Sequence, residues 1–162
     1  MEDDSLSIYE PPVENSGIVG GNFLKRQQLK KPCGTCYCAS EFFVGNTIVI
    51  SGHKFYLLYA DADSYRIMEC DEKKFPNSNI GRLHCLFSSQ KDEINKYFVS
   101  KYKGDGTVDM DQFEMCCITV GLKLNKQEII TLWRKIDRKE KGKVSFTKVV
   151  KFAEERSMHV WE

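Results

Sequence analysis

Residues 101–112 have the outline of a twelve-residue calcium-binding loop. Gly106 stands at the sixth place, where such a loop turns sharply, and Val108 stands where paired loops form a short β contact. Calcium takes oxygen ligands at the first, third, fifth and twelfth places, which here hold Lys101, Lys103, Asp105 and Gln112. Ammonium groups have no acceptor oxygen, and a neutral amide offers a single one. The segment therefore keeps the shape of a calcium loop without most of its ligands.

A second loop of the same outline lies at residues 137–148. Its turn glycine and β-contact valine follow those of the first loop by 36 residues, and they are Gly142 and Val144. Only Asp137 remains at the coordinating places, because the third, fifth and twelfth hold Lys139, Lys141 and Lys148. The repeat predicts a pair of EF-hands in which Val108 faces Val144.

The loss of carboxylates predicts a chain without a metal or other cofactor, calcium included. If the first loop did bind calcium, its oxygen ligands would be Asp105, Thr107, Asp109 and Gln112. The second loop is the poorer candidate, since three ammonium groups around the site would repel a divalent ion.

Three closely spaced cysteines could begin a zinc site, because thiolates two residues apart can share one tetrahedral ion. They are Cys33, Cys36 and Cys38. A matching second pair is missing, and only Cys70, His84 and Cys85 follow at scattered positions. Free thiols near a turn are the simpler interpretation.

Other polar groups also have a plain structural interpretation. Asp61 and Asp63 could form an acid pair, although aspartates are common in turns between elements. The basic run at residues 25–31 could meet an acidic surface, or it could be a solvated loop or edge strand protected by its lysines. His53 has no nucleophile or ligand partner nearby in the sequence, and we expect a structural role for it.

Residues 1–75 alternate apolar and polar positions between frequent turn signals, which predicts a small antiparallel β module. Two segments rich in β-branched and aromatic residues, 47–50 and 55–59, are joined by a predicted hairpin loop at residues 51–54. The module is expected to continue through residues 65–69. Charge and turn residues around Pro76 predict a linker at residues 76–88.

From residue 89 the apolar residues recur at intervals of three and four, which predicts four helices within residues 89–162. Residues that can cap these helices stand at the expected starts: Ser89, Asp109 with Gln112, Asn125 with Glu128, and Ser145. Cys116 and Cys117 lie on an apolar stripe and are expected to fill the core. The predicted fold class is α+β, with the β module followed by a four-helix EF-hand pair.

Composition excludes several classes of protein. The chain has 162 residues, 41% of them hydrophobic, which is enough for real cores. The net charge of +1 gives no global field for nucleic acid, and no apolar run approaches the length of a membrane span. The first residues lack the pattern of a signal peptide, so the seven cysteines are expected to be reduced thiols inside the cell. We find no P-loop, dinucleotide fingerprint or hydrolase motif, and expect no enzyme.

Two motifs in the first half carry a family resemblance. Residues 8–24 contain the pattern EPP-x-x-NSGI-x-GG-x-FL, and residues 42–61 contain F-x-G, GH-x-F and AD in the matching order. Together they resemble the DM10 domain, which is repeated in EF-hand-containing ciliary proteins of the doublet-microtubule ribbon. In that family the last DM10 domain precedes a C-terminal EF-hand segment, and the same order occurs here. The resemblance covers most of residues 5–70.

The sequence differs from that family pattern in two ways. Relatives carry three DM10 domains, whereas one is found here, and its opening strands are missing from the sequence. This suggests a short paralogue or a truncated product, with an open sheet edge that could recruit a partner strand.

The resemblance implies a structural protein of the cilium or flagellum. Similar proteins are microtubule inner proteins, so the expected partners are tubulin and neighbouring axonemal doublet proteins, with no nucleic acid and no membrane. The expected location is the cytoplasm, within the axonemal cytoskeleton. The alternative is an EF-hand regulator or adaptor in cilia that responds to calcium, which would need loops that bind the ion and helices that then open.

Overall fold

The computed structural model describes residues 4–17, 19–102 and 106–155. The chain divides into two compact units, residues 1–58 and residues 59–162. This division comes earlier than the boundary expected at residue 75.

The first unit contains two antiparallel strand pairs. Strand β1 (Ser5–Glu10) pairs with β2 (Gly21–Gln28), and β3 (Thr47–Ile50) pairs with β4 (His53–Tyr56). A short 3-10 helix, Ala39–Glu41, lies between the two pairs in the chain. The small core of this unit is formed by Leu29, Tyr37, Ile48 and Ile50, with partly buried apolar residues packed against them.

The predicted hairpin between β3 and β4 is present, but its loop is shorter than residues 51–54, because His53 and Lys54 already belong to β4. Ser51 and Gly52 form its two-residue turn and have φ angles of 50° and 83°. Positive φ at both central residues matches the twist of the flanking strands. His53, expected to have a structural role, is the first residue of β4, and its ring lies 5.6 Å from that of Phe23.

Gly20 of the first motif has a steric reason to be glycine. Its φ is +72°, and a Cβ there would lie 2.6 Å from both the Glu10 carbonyl oxygen and the Pro12 nitrogen. A side chain would therefore collide with the backbone at the end of β1. The motif keeps the Gly20 segment close against the residues that follow this strand.

The second unit begins with two helices that the sequence analysis did not predict. Helix α1 spans Ala62–Cys70, and α2 spans Ile80–Ser89 after a 3-10 turn at Pro76–Ser78. Residues 65–69 are thus helical rather than part of the β module, because the Asp61 side chain caps the helix by accepting from the Ser64 N–H. Residues 76–88, expected as a linker, are mostly α2.

The EF-hand pair follows. Its first hand consists of α3 (Lys91–Lys101), β5 (Thr107–Asp109) and α4 (Met110–Thr119). Its second hand consists of α5 (Lys126–Ile136), β6 (Lys143–Ser145) and α6 (Phe146–Glu154). Strands β5 and β6 pair antiparallel with Val108 opposite Val144, as predicted.

The predicted helix starts at Asp109, Asn125 and Ser145 are confirmed, and two of these helices carry the predicted capping boxes. Reciprocal capping boxes join Asp109 to Gln112 and Asn125 to Glu128. Ser89, by contrast, ends α2 instead of capping α3, which starts after Gln90. Apolar residues with helical spacing already occur from residue 80 onward, within α2. Helical structure therefore begins before Ser89, where the sequence predicted the change to helical spacing.

One core joins all four helices of the EF-hand pair. Cys116 and Cys117 belong to it, as predicted, and both are fully buried. Its other large members are Phe98, Phe113, Leu132, Trp133 and Ile136. Leu83 and Phe87 of α2 also belong to this core.

Candidate functional site

A backbone hydrogen bond to Asp137, the one carboxylate that remains at the coordinating places, closes the second EF-hand loop. Asp137 is 5% exposed, and its Oδ2 accepts from the Gly142 N–H at 2.7 Å. The Glu140 N–H also donates to the Asp137 carbonyl oxygen at 2.9 Å. The buried carboxylate is therefore satisfied by the loop backbone, and the lysines at the other coordinating places are exposed.

In the first loop, two of the candidate ligands are hydrogen-bonded to the backbone at the start of α4. Thr107 is exposed on β5. Asp109 Oδ1 accepts from the Gln112 N–H at 2.9 Å, and Gln112 Oε1 accepts from the Asp109 N–H at 3.0 Å. Both side chains thus cap the first turn of α4. Asp105 and Lys103 lie outside the described residues.

The lysine at the first coordinating place is held by an aromatic neighbour. Lys101 Nζ donates to the Tyr97 hydroxyl at 3.0 Å and lies 5.1 Å from the centroid of the Tyr97 ring. Tyr97 is one turn earlier on α3, so this contact directs the ammonium group back along the helix. The first place is therefore occupied by a cation that the helix itself stabilises.

Gly106 has a packing role in addition to its place in the loop. A Cβ at this position would lie 2.6 Å from Tyr102 Cδ1. The Tyr102 ring in turn packs against Phe98 and Phe146, at centroid distances of 5.9 and 6.2 Å. Together these rings join the end of α3 to the start of α6. The glycine leaves room for them.

Within residues 4–17, 19–102 and 106–155, no three His, Cys, Asp or Glu side chains are grouped as a metal site would need. Cys33, Cys36 and Cys38 are free and exposed. The Thr35 hydroxyl lies 3.2 Å from Cys33 Sγ, and hydrogen bonding from Thr35 lowers the pKa of the Cys33 thiol. Asp61 caps α1, and Asp63 forms an exposed ion pair with Arg66 at 2.6 Å.

Helix α2 packs against the helices of the EF-hand pair, and this packing bears most directly on function. Leu83 and Phe87 are both 0% exposed. The Phe87 ring lies 5.5 Å from Phe113 of α4 and 6.0 Å from Phe152 of α6, measured between centroids. In a calcium sensor the apolar surface between these helices is exposed for a target helix. Here α2 of the same chain occupies it.

Polar contacts fix α2 and its preceding turn in place. Arg82 forms an ion pair with the carboxylate of Glu128, which is 7% exposed and also caps α5. His84 Nε2–H donates to the Phe152 carbonyl oxygen at 2.9 Å, and this joins α2 to α6. The turn before α2 bonds to α5 through the side chains of Asn77 and Asn125 at 3.1 Å. These bonds give α2 a defined position and register.

Helix α1 is tied to the same unit through one arginine. Arg134 of α5 donates from Nε to Glu69 Oε1 at 2.8 Å, and its guanidinium lies 4.9 Å from the Tyr65 ring centroid. Arg134 also approaches Glu140 of the second loop at 3.6 Å. A cleft of about 430 Å³ opens beside these residues. Glu69 and Glu140 line this cleft, and both pair with Arg134.

The sequence analysis did not predict that Leu83 and Phe87 are buried, nor the contacts that hold α2 against the EF-hand helices. A signal was present, because Ile80, Leu83 and Phe87 follow helical spacing. It was hidden by the turn residues around Pro76.

In the described parts of the chain, every helix is too short or too polar to cross a bilayer.

Comparison with known proteins identifies the first half of the chain. Residues 1–66 match the family model of the DM10 domain. The match extends past the end of the first unit and includes the first residues of α1. The DM10 domain and the EF-hand-containing relatives are not known as an enzyme family.

Relatives cover both halves of the chain. EF-hand domain-containing family member C2 of Mus musculus is 34% identical over 148 residues, 83% of this chain and 20% of the relative. The protein of the same name from Danio rerio is 28% identical over 147 residues, with the same shares. EF-hand domain-containing protein 1 of Homo sapiens is 40% identical over 77 residues, 44% of this chain and 12% of the relative. The chain spans about a fifth of the length of the C2 relatives. The chain thus carries a DM10 domain at residues 1–66 and is homologous over most of its length to EF-hand domain-containing family member C2.

Proposed function

We propose that this chain is a non-enzymatic structural protein of the ciliary axoneme. In this proposal it is a microtubule inner protein that binds tubulin in doublet microtubules and supports ciliary stability and motility. Homology to EF-hand domain-containing family member C2 supports the proposal, together with the DM10 motifs that resemble those of doublet-microtubule ribbon proteins. The DM10 unit would contact tubulin, and the EF-hand unit would contact a neighbouring doublet protein.

One observation favours a constitutive binding unit over a calcium sensor. The EF-hand pair is packed around α2, with Phe87 fully buried between helices of both hands. A sensor gains a binding surface when calcium opens its helices. Here that surface is already covered, and Asp137 is already bonded to its own loop. Contacts made by the outside of this unit would therefore not vary with calcium.

Fractionation of ciliated cells tests this function. Cells expressing the tagged full chain, or the tag alone, would be separated into membrane–matrix fractions and salt-washed doublets, with calcium or a chelator present. Retention with the washed doublets in both conditions is the expected result. Release in both conditions would contradict doublet binding, and retention that depends on calcium would favour the calcium-responsive regulator instead.

A further inference from the structure

The second EF-hand loop and the first turn of α6 form a strongly basic surface. Residues 138–148, called the basic loop surface below, carry five cations and one carboxylate, a net charge of +4 against +1 for the whole chain. The cations are Arg138, Lys139, Lys141, Lys143 and Lys148. We propose that this surface binds an acidic polypeptide segment of a partner protein.

The positive charge of this surface is available to a partner. All five cations are exposed, and none has an ion-pair partner among the residues that the structure describes. The one carboxylate, Glu140, lies 3.6 Å from Arg134 in an ion pair directed toward α5. The charge is therefore not neutralised within the described part of this chain.

Three sets of contacts hold the backbone that carries these lysines in place. Asp137 accepts from the Gly142 N–H at 2.7 Å, and β6 pairs with β5 with Lys143 opposite Asp109. The Phe146 N–H donates to the Gly106 carbonyl oxygen at 3.1 Å, which joins the start of α6 to the first loop. Because the loop is already ordered, a partner does not have to order its backbone on binding.

The spacing of the charges suits a flexible acidic chain. Four of the five cations are lysines, which act as separate point charges and can pair with oxygens spread along a chain rather than with one planar oxyanion. The charges follow one another along a loop, the short strand β6 and the first turn of α6, so a flexible run of Asp and Glu could meet several of them at once. The remainder of the chain carries a net charge of −3, which gives no wider basic field of the kind that nucleic acids recognise. A simply solvated basic face is the competing explanation.

The inference extends the proposed function by naming a surface and the chemistry of its partner, but its test does not depend on doublets. Binding of a labelled oligoglutamate peptide to the purified full chain would be followed by fluorescence anisotropy, in chelator and at low salt. We expect saturable binding that weakens as salt screens the charges. Charge reversal by Lys139→Glu, Lys141→Glu and Lys148→Glu should weaken binding by about tenfold or more. Lys143 is left intact because a glutamate there would stand opposite Asp109.

A matched variant controls for overall charge. Lys54→Glu, Lys73→Glu and Lys91→Glu change the net charge equally at three exposed lysines elsewhere in the chain, and this variant should keep most of the affinity. Equal loss in both variants, or no loss in the first, would overturn the proposal. Tighter binding to an oligonucleotide or to anionic vesicles than to the peptide would overturn the choice of partner. Doublet retention without peptide binding would refute this inference alone, while peptide binding without retention would refute only the proposed function.

Discussion

The ring of Phe87 on α2 lies 5.5 Å from the ring of Phe113 on α4, and Phe113 lies equally close to Trp133 on α5. These three aromatic residues come from α2 and from both EF-hands, and all are buried. Helix α2 is thus part of the EF-hand core rather than a connection leading to it. This arrangement explains how the pair can keep a folded shape without an ion in its loops.

The first prediction concerns the energy that this contact contributes. Phe87→Ala should lower the free energy of unfolding by about 3–5 kcal/mol, because it removes a fully buried aromatic ring and leaves a cavity. The neighbouring Leu86 is 40% exposed, so Leu86→Ala should cost much less. Urea unfolding followed by the fluorescence of Trp133, in chains that carry Trp161→Phe, measures both variants. A Phe87→Ala variant no less stable than Leu86→Ala would show that α2 does not pack on the core.

The second prediction concerns the ion pair between α2 and α5. In Arg82→Ala the Glu128 carboxylate, whose side chain is 9% exposed, loses its cationic partner, and the expected cost is about 1–3 kcal/mol. The pair of Arg66 and Asp63 offers a control, since its side chains are 67% and 81% exposed. Arg66→Ala should cost less than about 1 kcal/mol. Equal effects of the two substitutions in thermal unfolding would mean that burial of Glu128 adds nothing.

Much of the EF-hand unit could be predicted because its signals are local. Each capping box needs only residues three apart, and the repeat of Gly142 and Val144 after the first loop fixes the pairing of β5 with β6. The hairpin turn at Ser51 and Gly52 is equally local. In such segments, propensity, spacing and tertiary packing all favour the same structure.

The position of α2 could not be predicted because tertiary contacts decide it. Pro76 and the asparagines that follow are typical of a loop, and in the structure they form a 3-10 turn and the Asn79 cap of α2. The burial of Leu83 and Phe87 depends on α4, α5 and α6, which come later in the chain. The turn residues around Pro76 therefore outweighed the helical spacing that follows them, and only long-range packing determines where this helix is buried.

The candidate calcium ligands show a similar limit. Their residue types could be assigned to loop places from spacing alone. Whether an oxygen faces the loop centre or caps a helix depends on geometry, and Asp109 and Gln112 cap α4. Sequence reasoning had predicted this capping box, but it could not show that both side chains are committed to it.

The third prediction concerns the reactivity of Cys33. Hydrogen bonding from Thr35 lowers the pKa of this thiol, so more of it is thiolate at a given pH. In a chain whose other exposed cysteines are changed to serine, Thr35→Val should shift the pH profile of Cys33 alkylation to higher pH. Thr35→Ser keeps a hydroxyl and should leave the profile near that of Thr35. An unchanged profile in Thr35→Val would show that the hydroxyl does not act on the sulfur.

The two core cysteines should behave in the opposite way. Burial raises the pKa of the Cys116 thiol to about 12, and it also raises the pKa of the Cys117 thiol. Both should therefore resist alkylation at neutral pH in the native protein and react after unfolding in urea. Mass spectrometry of peptides after brief labelling separates these sites from the five exposed cysteines. Rapid native labelling of Cys117 would mean that the EF-hand core opens readily.

The last prediction tests whether the second loop has lost only its ligands. Lys139→Asp, Lys141→Asp and Lys148→Glu would restore carboxylates at the third, fifth and twelfth places beside Asp137. Because the turn at Gly142 and the pairing of Val108 with Val144 are intact, this variant should bind calcium with a Kd of about 10⁻⁵–10⁻³ M. Isothermal titration calorimetry would measure the binding, and the parent chain should give no calcium heat in the same range.

Three further measurements separate calcium binding by the loop from opening of the helices. Adding Asp137→Asn should weaken calcium binding, since it removes a charged ligand. Calcium should raise the melting temperature of the restored variant through binding to the folded state. It should not increase binding of an apolar dye, because Phe87 already fills the space between the helices. If calcium did increase dye binding, α2 would be a displaceable ligand of the EF-hands, and the constitutive unit argued above would instead be a sensor that has lost its ion.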